Sequence, residues 1–534
     1  MPHVATIARS LNDAITKFFM SSTNNPWPPP TPPRTPHPAV ALLKFAPFLL
    51  VGIVGSIAGA WLVWTRGVNL TVVCIALILA IPVMWGSWVG SQQVWRVIGT
   101  FRFRLKWWHW LWLLSISSSF VFRYRTASEI TQNPFDALAG LRVGPEIIVG
   151  CALLLRLVFR KPDWGPSMFK GIVGTTAIFG LVCLTSSLWS VKFSWTFYKS
   201  LEYLLDLSIV AVVLTVVTNT EEYKTFIDWT WIIAGATIAW VWIGLPIWPA
   251  LTWSDEARLA GAYPIVSSNE LGDTGAILIL VAAIRLWPLT GECRHRAFYI
   301  LTAIMGAVTM VAAETRSAFG GLAVAALVVL FLSGRKKYAI WASFLAVPTV
   351  ILTSLGPKIM AYLQRDQSQA ELMSMSSRLD WWSIGFNMFM QHPFTGLGAY
   401  AGSRFAVLQT VGAPQLHSDW LEVLVGTSIW GMTPFVISLV WIWMILITYF
   451  RRRRLEPLDR QLTIEMIGVM TVITIHSFVN VEMTWHHPTL FLIILGWAEF
   501  MRRKMLRPAT PAPPRQFRQQ LKPITSSQLF SARH

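Results

Sequence analysis

Apolar residues in this chain run in long stretches with few polar interruptions, instead of alternating or marking one helical face. The stretches cover 41–65, 69–89, 107–122, 143–159, 171–190, 200–218, 228–249, 271–290, 297–315, 317–333, 338–356, 419–449, 461–481 and 486–501. A helix rising about 1.5 Å per residue needs about 20 residues to cross a hydrocarbon core of about 30 Å. The pattern predicts an all-α fold, a polytopic transmembrane helical bundle of about 12–14 spans. The run at 107–122 is crowded with tryptophan, a residue suited to the membrane interface. Loop 357–418, between the spans ending near 356 and starting near 419, is the longest connection and mixes polar with helix-forming stretches. Long loops between compact elements are often functional.

At the N-terminus, Val4, Ile7, Leu11, Ile15 and Phe18 recur at helical spacing, which predicts a short amphipathic helix on a membrane surface. The segment NNPWPPPTPPRTPHP (24–38) reads as an extended polyproline linker. No secretory signal pattern is expected here. The expected organisation is a cytoplasmic arm over 1–40, N-terminal transmembrane helices over 41–165, a main transmembrane domain over 166–501 that includes loop 357–418, and a basic cytoplasmic tail over 502–534.

Composition agrees with the pattern. The chain is 54% hydrophobic and 13% charged, where a soluble chain carries roughly 25% charge. A net charge of +18 would suit nucleic acid, but its distribution points elsewhere. Basic residues gather between apolar stretches, as in RVIGTFRFRLK (96–106), CRHR (293–296), GRKK (334–337), RRRR (451–454) and RRK (502–504). Such clusters orient spans by the positive-inside rule and rest against anionic lipid. Membrane lipids, not nucleic acid, are the expected partners. With cytoplasmic termini, alternation places these clusters inside. It places loops 250–270 and 357–418 outside, with Arg316 at the outer mouth of its helix. Cys74, Cys151 and Cys183 lie in apolar runs and Cys293 in a basic loop; without CxxC spacing they predict neither disulfides nor a metal site.

Three segments on that outer side set a cation or a histidine where apolar helix meets loop. The first, DEARLAGAYPIVSSNELG (255–272), holds Arg258 and Asn269. In the second, AAETRSAFGG (312–321), Glu314 and Arg316 interrupt two apolar runs. The third runs SSRLDWWSIGFNMFMQHPFTGLGAY (376–400), headed by Arg378, and continues to QLHSDWLEVL (415–424). A charge in the apolar zone costs about 2.5–3.5 kcal/mol on insertion scales, so Arg316 should face a polar cavity or a partner. Pairing with Glu314 or snorkelling would also satisfy it. Arg285 and Arg156 sit near cytoplasmic ends and fit snorkelling. Converging guanidiniums offer planar forks of donors that match phosphate oxygens. His417, with an ordinary pKa of about 6.5, suits a general base, and Asp419 or Glu422 could orient it. The same residues also read as a plain helix start, Ser418 or Asp419 capping and Glu422 completing a capping box.

Other clusters are weaker. TGLGAYAG (395–402) lacks GxGxxG spacing and follows no strand, so it is not a nucleotide loop. His476, His486 and His487 flank one turn without a metal-ligand spacing, and no metal is expected. Lys199, Glu202 and Asp206 fall on one helix face as an ion-pair ladder.

The motif order is the stronger signal. Arg-x-x-Gly at 258–261, TRSA at 315–318, and then SR…W…PFxGxG…HSxxL from 377 to 421 together resemble the bacterial O-antigen ligase/polymerase family. The likeness covers about residues 170–500. It implies metal-independent, cofactor-free glycosyl transfer at the periplasmic face of the inner membrane. The donor would be a glycan on undecaprenyl pyrophosphate, the acceptor a lipid A core sugar or another lipid-linked repeat. Carried over by position, Arg258 and Arg316 would bind pyrophosphate and His417 would activate the acceptor hydroxyl. Arg378 would add donor or acceptor contacts, with Asp419, Glu422 and Asn269 as further candidates. Past the histidine the chain departs from the family's Glu-x-Gly pair, with Gly426 and Ser428 at those positions. A polymerase of the same family and, in another class, a transporter or flippase of a lipid-linked anion remain open readings.

Overall fold

The computed structural model describes residues 105–120, 137–159, 164–253, 258–262, 265–288, 293, 295–338, 340, 378–408, 415–452, 455–484 and 487–506. The expectations for the arm over 1–40, the spans 41–65 and 69–89, most of 338–356, and the tail beyond 506 lie outside these residues. Those described are helical, with two isolated bridges and no strand among them.

Among the described residues fourteen α-helices follow in chain order. The first seven are α1 Trp107–Phe120, α2 Ala137–Phe159, α3 Trp164–Met168, α4 Gly171–Thr185, α5 Phe193–Val216, α6 Thr220–Ile247 and α7 Pro249–Thr252. Then come α8 Ser268–Leu286, α9 Arg296–Ala313, α10 Arg316–Leu332, α11 Arg378–Gln391, α12 Asp419–Phe450, α13 Pro457–His476 and α14 Thr489–Leu506. Every apolar stretch within the described residues falls on one of them. Among the described residues, Gly171–Trp189, Thr220–Ile247, Arg296–Ala313 and Asp419–Phe450 are long and apolar enough to cross a membrane by length and composition.

Burial follows hydrophobicity. In α14 every residue from Phe491 to Met501 is buried, as expected of a helix that is apolar all round. The opposite case is α9, where Ile300, Ile304, Val308 and Val311 stand exposed on one face. An exposed apolar stripe on a helix of this hydropathy is where lipid belongs. This is a membrane protein.

Two features set the position of the site. Where α8 crosses α9, Gly275 and Gly306 meet so closely that a Cβ on either would stand 2.7 Å from the other's carbonyl oxygen. Small residues at such a crossing let backbones touch, and they bring the start of α8 to the end of α9. The second feature is a buried ion network joining α6, α8 and α13. Arg285 donates to Glu465 through Nε (2.9 Å) and Nη2 (2.8 Å), and to Asp228 through Nη1 (2.6 Å). Trp231 Nε1 adds a bond to Glu465 (2.7 Å) and Lys224 one to Asp228 (2.5 Å). Arg285 is therefore not a snorkelling residue: two carboxylates inside the bundle hold it. Sequence reading missed this because both partners come from distant helices.

Removing one partner from a buried pair leaves the other uncompensated, at about 3–5 kcal/mol. Glu465→Ala should therefore lower the melting temperature of detergent-solubilised protein sharply. An unchanged melting curve would mean that the network carries no stability.

Candidate functional site

The site is built where three helix ends meet. Helix α9 closes at Glu314, whose φ of 49° is left-handed; this reverses the chain so that α10 begins two residues later at Arg316. The Thr315 hydroxyl in this turn donates to Ser268 O (3.0 Å), tying it to the first turn of α8. Gly272 leaves the room required, since a Cβ there would lie 2.3 Å from Thr315 Oγ1. Arg258 reaches into the same corner. Its Nε donates to Ala313 O (2.9 Å), a C-terminal carbonyl of α9, and its Nη2 to Asn269 Oδ1 (2.8 Å). A helix C-terminus is a favourable seat for a cation. Asn269, a sequence candidate, is thus a partner that orients Arg258.

Arg378 opens α11 and donates through Nη1 to Val479 O (2.6 Å), in the turn that follows α13. The charges of Arg258 and Arg316 both reach it, and Arg316 feels Arg258. Burial, and then the charge of Arg258, hold the Arg378 guanidinium below its ordinary value. The three arginines named from the sequence therefore gather in one place.

His417 belongs to the same constellation. It sits just before α12 with φ 53°, a left-handed conformation that is uncommon for non-glycine residues. Its ring faces Trp381 of α11 at 6.1 Å between centroids, while Trp382 Nε1 donates to Leu416 O (2.8 Å). Helix α11 so fixes the segment that carries the histidine. Nδ1 of His417 lies 3.5 Å from Asn480 Oδ1 and 3.3 Å from Gln415 Nε2. Burial first, and the charge of Arg378 second, push the imidazole down to about 4. At neutral pH it is uncharged and can accept a proton.

Beneath the arginines lies an acidic floor. Asn480 Nδ2 donates to Asp273 Oδ2 (3.2 Å) and Glu482 Oε1 (3.0 Å). Burial, and next the neighbouring Asp273 carboxylate, raise the Glu482 carboxyl well above the usual range. His476 Nδ1 stands 3.2 Å from Asp273 Oδ1. Asp273 and Asn480 carried no motif; one lies within an apolar span and the other in a short turn.

Asp419 and Glu422 have work of their own. Asp419 accepts the backbone N–H groups of Glu482 (3.0 Å), Met483 (3.1 Å) and Thr484 (2.9 Å), and the Thr484 hydroxyl (2.5 Å). It clamps the turn that holds Asn480 and Glu482. Glu422 accepts from Leu416 N (2.5 Å) and Ser403 Oγ (2.6 Å). The expected capping box is not formed: Ser418 is the N-cap residue without a side-chain cap bond. Glu422 reaches back past it to Leu416 and so braces the histidine segment.

The glycine segment also finds a use. Helix α12 is interrupted at Ser428 (φ 61°, ψ −155°). There Leu397 N donates to Val425 O and Gly398 N to Gly426 O, both at 2.9 Å. Gly396, at φ 65°, lies so close that a Cβ would stand 2.5 Å from Gly426 O. The segment plugs the break in the helix.

Two groups have ligand-type atoms within 4.8 Å of one another: Glu146, Glu202 and His487, and Asp273, His476 and Glu482. In the first, Arg142 and Lys199 already pair with Glu202. Asp206 leaves the expected ladder with Lys199 and Glu202 to meet His487 Nδ1 (2.7 Å). The second lies beside Arg378. His486 is outside the described residues.

Residues 301–436 match the family model described as O-Antigen ligase. The chain carries an O-antigen ligase family domain. The matched segment holds Arg316, Arg378 and His417, whereas Arg258, Asp273, Asn480 and Glu482 are supplied by segments outside it. A search of curated proteins finds no match. The ligase family brings with it a glycosyl-transfer role in O-antigen or polysaccharide assembly, on lipid-linked glycan donors and lipid acceptors.

Because Asp419 satisfies three backbone donors, each worth about 1 kcal/mol, Asp419→Ala should destabilise by about 3 kcal/mol. Thermal melting should report it, with Asp419→Asn in between. A stability equal to wild type in Asp419→Ala would remove its role as a clamp.

Proposed function

We propose that this protein transfers a glycan from undecaprenyl pyrophosphate to a hydroxyl of a lipid A core sugar or a similar acceptor. The reaction is placed at the periplasmic face of the inner membrane. One observation carries the reading: Arg258, Arg316 and Arg378 gather within range of one another's charge, beside a histidine kept neutral.

His417 takes the proton of the acceptor hydroxyl as its oxygen attacks the anomeric carbon. The bond from that carbon to the pyrophosphate oxygen breaks, and its electron pair leaves with the pyrophosphate. The growing negative charge is met by guanidiniums already in position, which is how fixed cations lower such barriers. Direct displacement inverts the anomeric centre. In this reading the arginines supply the cationic charge, and no metal or cofactor takes part. Arg258 and Arg316 hold the pyrophosphate, and Arg378 both adds charge and depresses His417.

The transporter reading predicts broken helices that open a path near mid-membrane. The break in α12 is filled by the chain's own 396–398 backbone, which favours a fixed reaction site. Between ligase and polymerase the chemistry is the same. Deleting a ligase leaves long lipid-linked chains unattached; deleting a polymerase leaves single units attached.

In glycan-ladder gels, His417→Ala and Arg316→Ala should each abolish attachment of polymer to the lipid core. Wild-type ladders from both variants would refute these roles. With purified protein at saturating donor, the rate should stay level on acidification and fall only near pH 4, where His417 takes up a proton. Arg378→Ala removes the second cause of that low value but not burial. Its acid limb should move up part of the way toward the ordinary value of about 6.5. A wild-type limb already near 6.5 would contradict the buried, Arg378-flanked base.

A further inference from the structure

We propose that Asn480 is a positioning residue that sets the tautomer of His417, and that the Asp273–Glu482 carboxyl pair imposes it by forcing the Asn480 carboxamide into one orientation. The catalytic meaning of this rests on the reading of His417 as the base.

Asn480 is 4% exposed, and its backbone is fixed by a bond from its N–H to His476 O (2.7 Å). A carboxamide has two donors at one end and an acceptor at the other. Two carboxyl oxygens stand on one side of this one, Asp273 Oδ2 at 3.2 Å and Glu482 Oε1 at 3.0 Å. With the NH2 toward them, both contacts are hydrogen bonds. Reversed, three oxygens would crowd a buried space, where an unmade bond costs most. The carbonyl oxygen must therefore face His417 Nδ1.

That nitrogen then has to carry the hydrogen, because an oxygen acceptor rewards only an N–H. With Nδ1 protonated, Nε2 keeps its lone pair for the acceptor hydroxyl. The 3.5 Å separation is long, as such bonds are before substrate tightens them. Gln415 Nε2, at 3.3 Å from the same nitrogen, asks for the opposite tautomer. Among the described residues no second pair of acceptors holds its amide, so it turns to offer Oε1 at little cost. Asn480 cannot turn, and it decides.

The pair survives in the apolar interior by sharing. Asp273 and Glu482 are hydrogen-bonded to each other, which two carboxyl groups can do only with a proton between them. The oxygens turned toward Asn480 stay acceptors. His476 stands against Asp273, the charges of Glu270 and Arg378 reach Asp273, and the charge of Asp419 reaches Glu482.

The test uses full-length protein in nanodiscs with 15N,13C-labelled histidine, assigning His417 by difference from His417→Ala. Couplings between ring nitrogens and carbons report which nitrogen bears hydrogen. Wild type should show Nδ1–H; Asn480→Ala and the pair variant Asp273→Asn/Glu482→Gln should each show a mixture or Nε2–H. In the transfer assay both should lower kcat by roughly 10–100-fold, the range seen for partners that orient metal-ligating histidines, with donor KM within about twofold. The triple variant should be no slower than either, since all act through one bond. Nε2–H in wild type, an unchanged tautomer in Asn480→Ala, or additive losses in the triple variant would each overturn the proposal. Full transfer by His417→Ala would instead refute the catalytic reading of the histidine, while the tautomer measurement would still decide what Asn480 does. If Asn480→Ala does not fold, the pair variant, which leaves Asn480 in place, decides.

Discussion

Repulsion between like charges is the constraint on which this site depends. Arg258, Arg316 and Arg378 keep their charge at any accessible pH, and the fold brings them together. Hydrogen bonds from Arg258 to Ala313 O and from Arg378 to Val479 O fix direction without neutralising charge. The excess positive charge is therefore aimed, and it is of a kind that a bound pyrophosphate would relieve. The Asp273–Glu482 floor tempers it from below, and the glycine-on-glycine crossing of α8 with α9 sets the spacing.

A second dependence runs through α12. The break at Ser428 frees backbone groups, and the 396–398 segment takes them up. That docking anchors the end of loop 357–418 that leads to His417. Glu422 and Asp419, on the first turn of the same helix, then point opposite ways, one bracing the histidine segment and the other the Asn480 turn. The helix start thus acts as a joint between two pieces of the site.

Much of this was legible in the sequence, for definite reasons. Long apolar runs have few solutions in a bilayer, so the helices followed from the pattern. Arg258, Arg316, Arg378 and His417 stood out because charge at the edge of an apolar run needs a reason, and the fold brings them together. Arg285 stood out too but was misread, because its partners Asp228 and Glu465 lie on other helices and no local pattern announces them. Asp273 and Asn480 were invisible for the same reason. The capping box failed because a closer requirement, bracing Leu416, claimed Glu422. Local patterns identify which residues are unusual; partners distant in sequence decide what they do.

The Asp419 clamp has a consequence for biogenesis. It joins the first turn of α12 to residues 482–484, so the arginine corner and the Glu422-braced histidine segment, made earlier in the chain, lack their Asn480 turn until the segment before α14 has been synthesised. During insertion the nascent chain therefore carries the arginine cluster before it carries the turn that sets Asn480 against His417. On the proposed reading, the residues that would meet a pyrophosphate are made before the residue that orients the base.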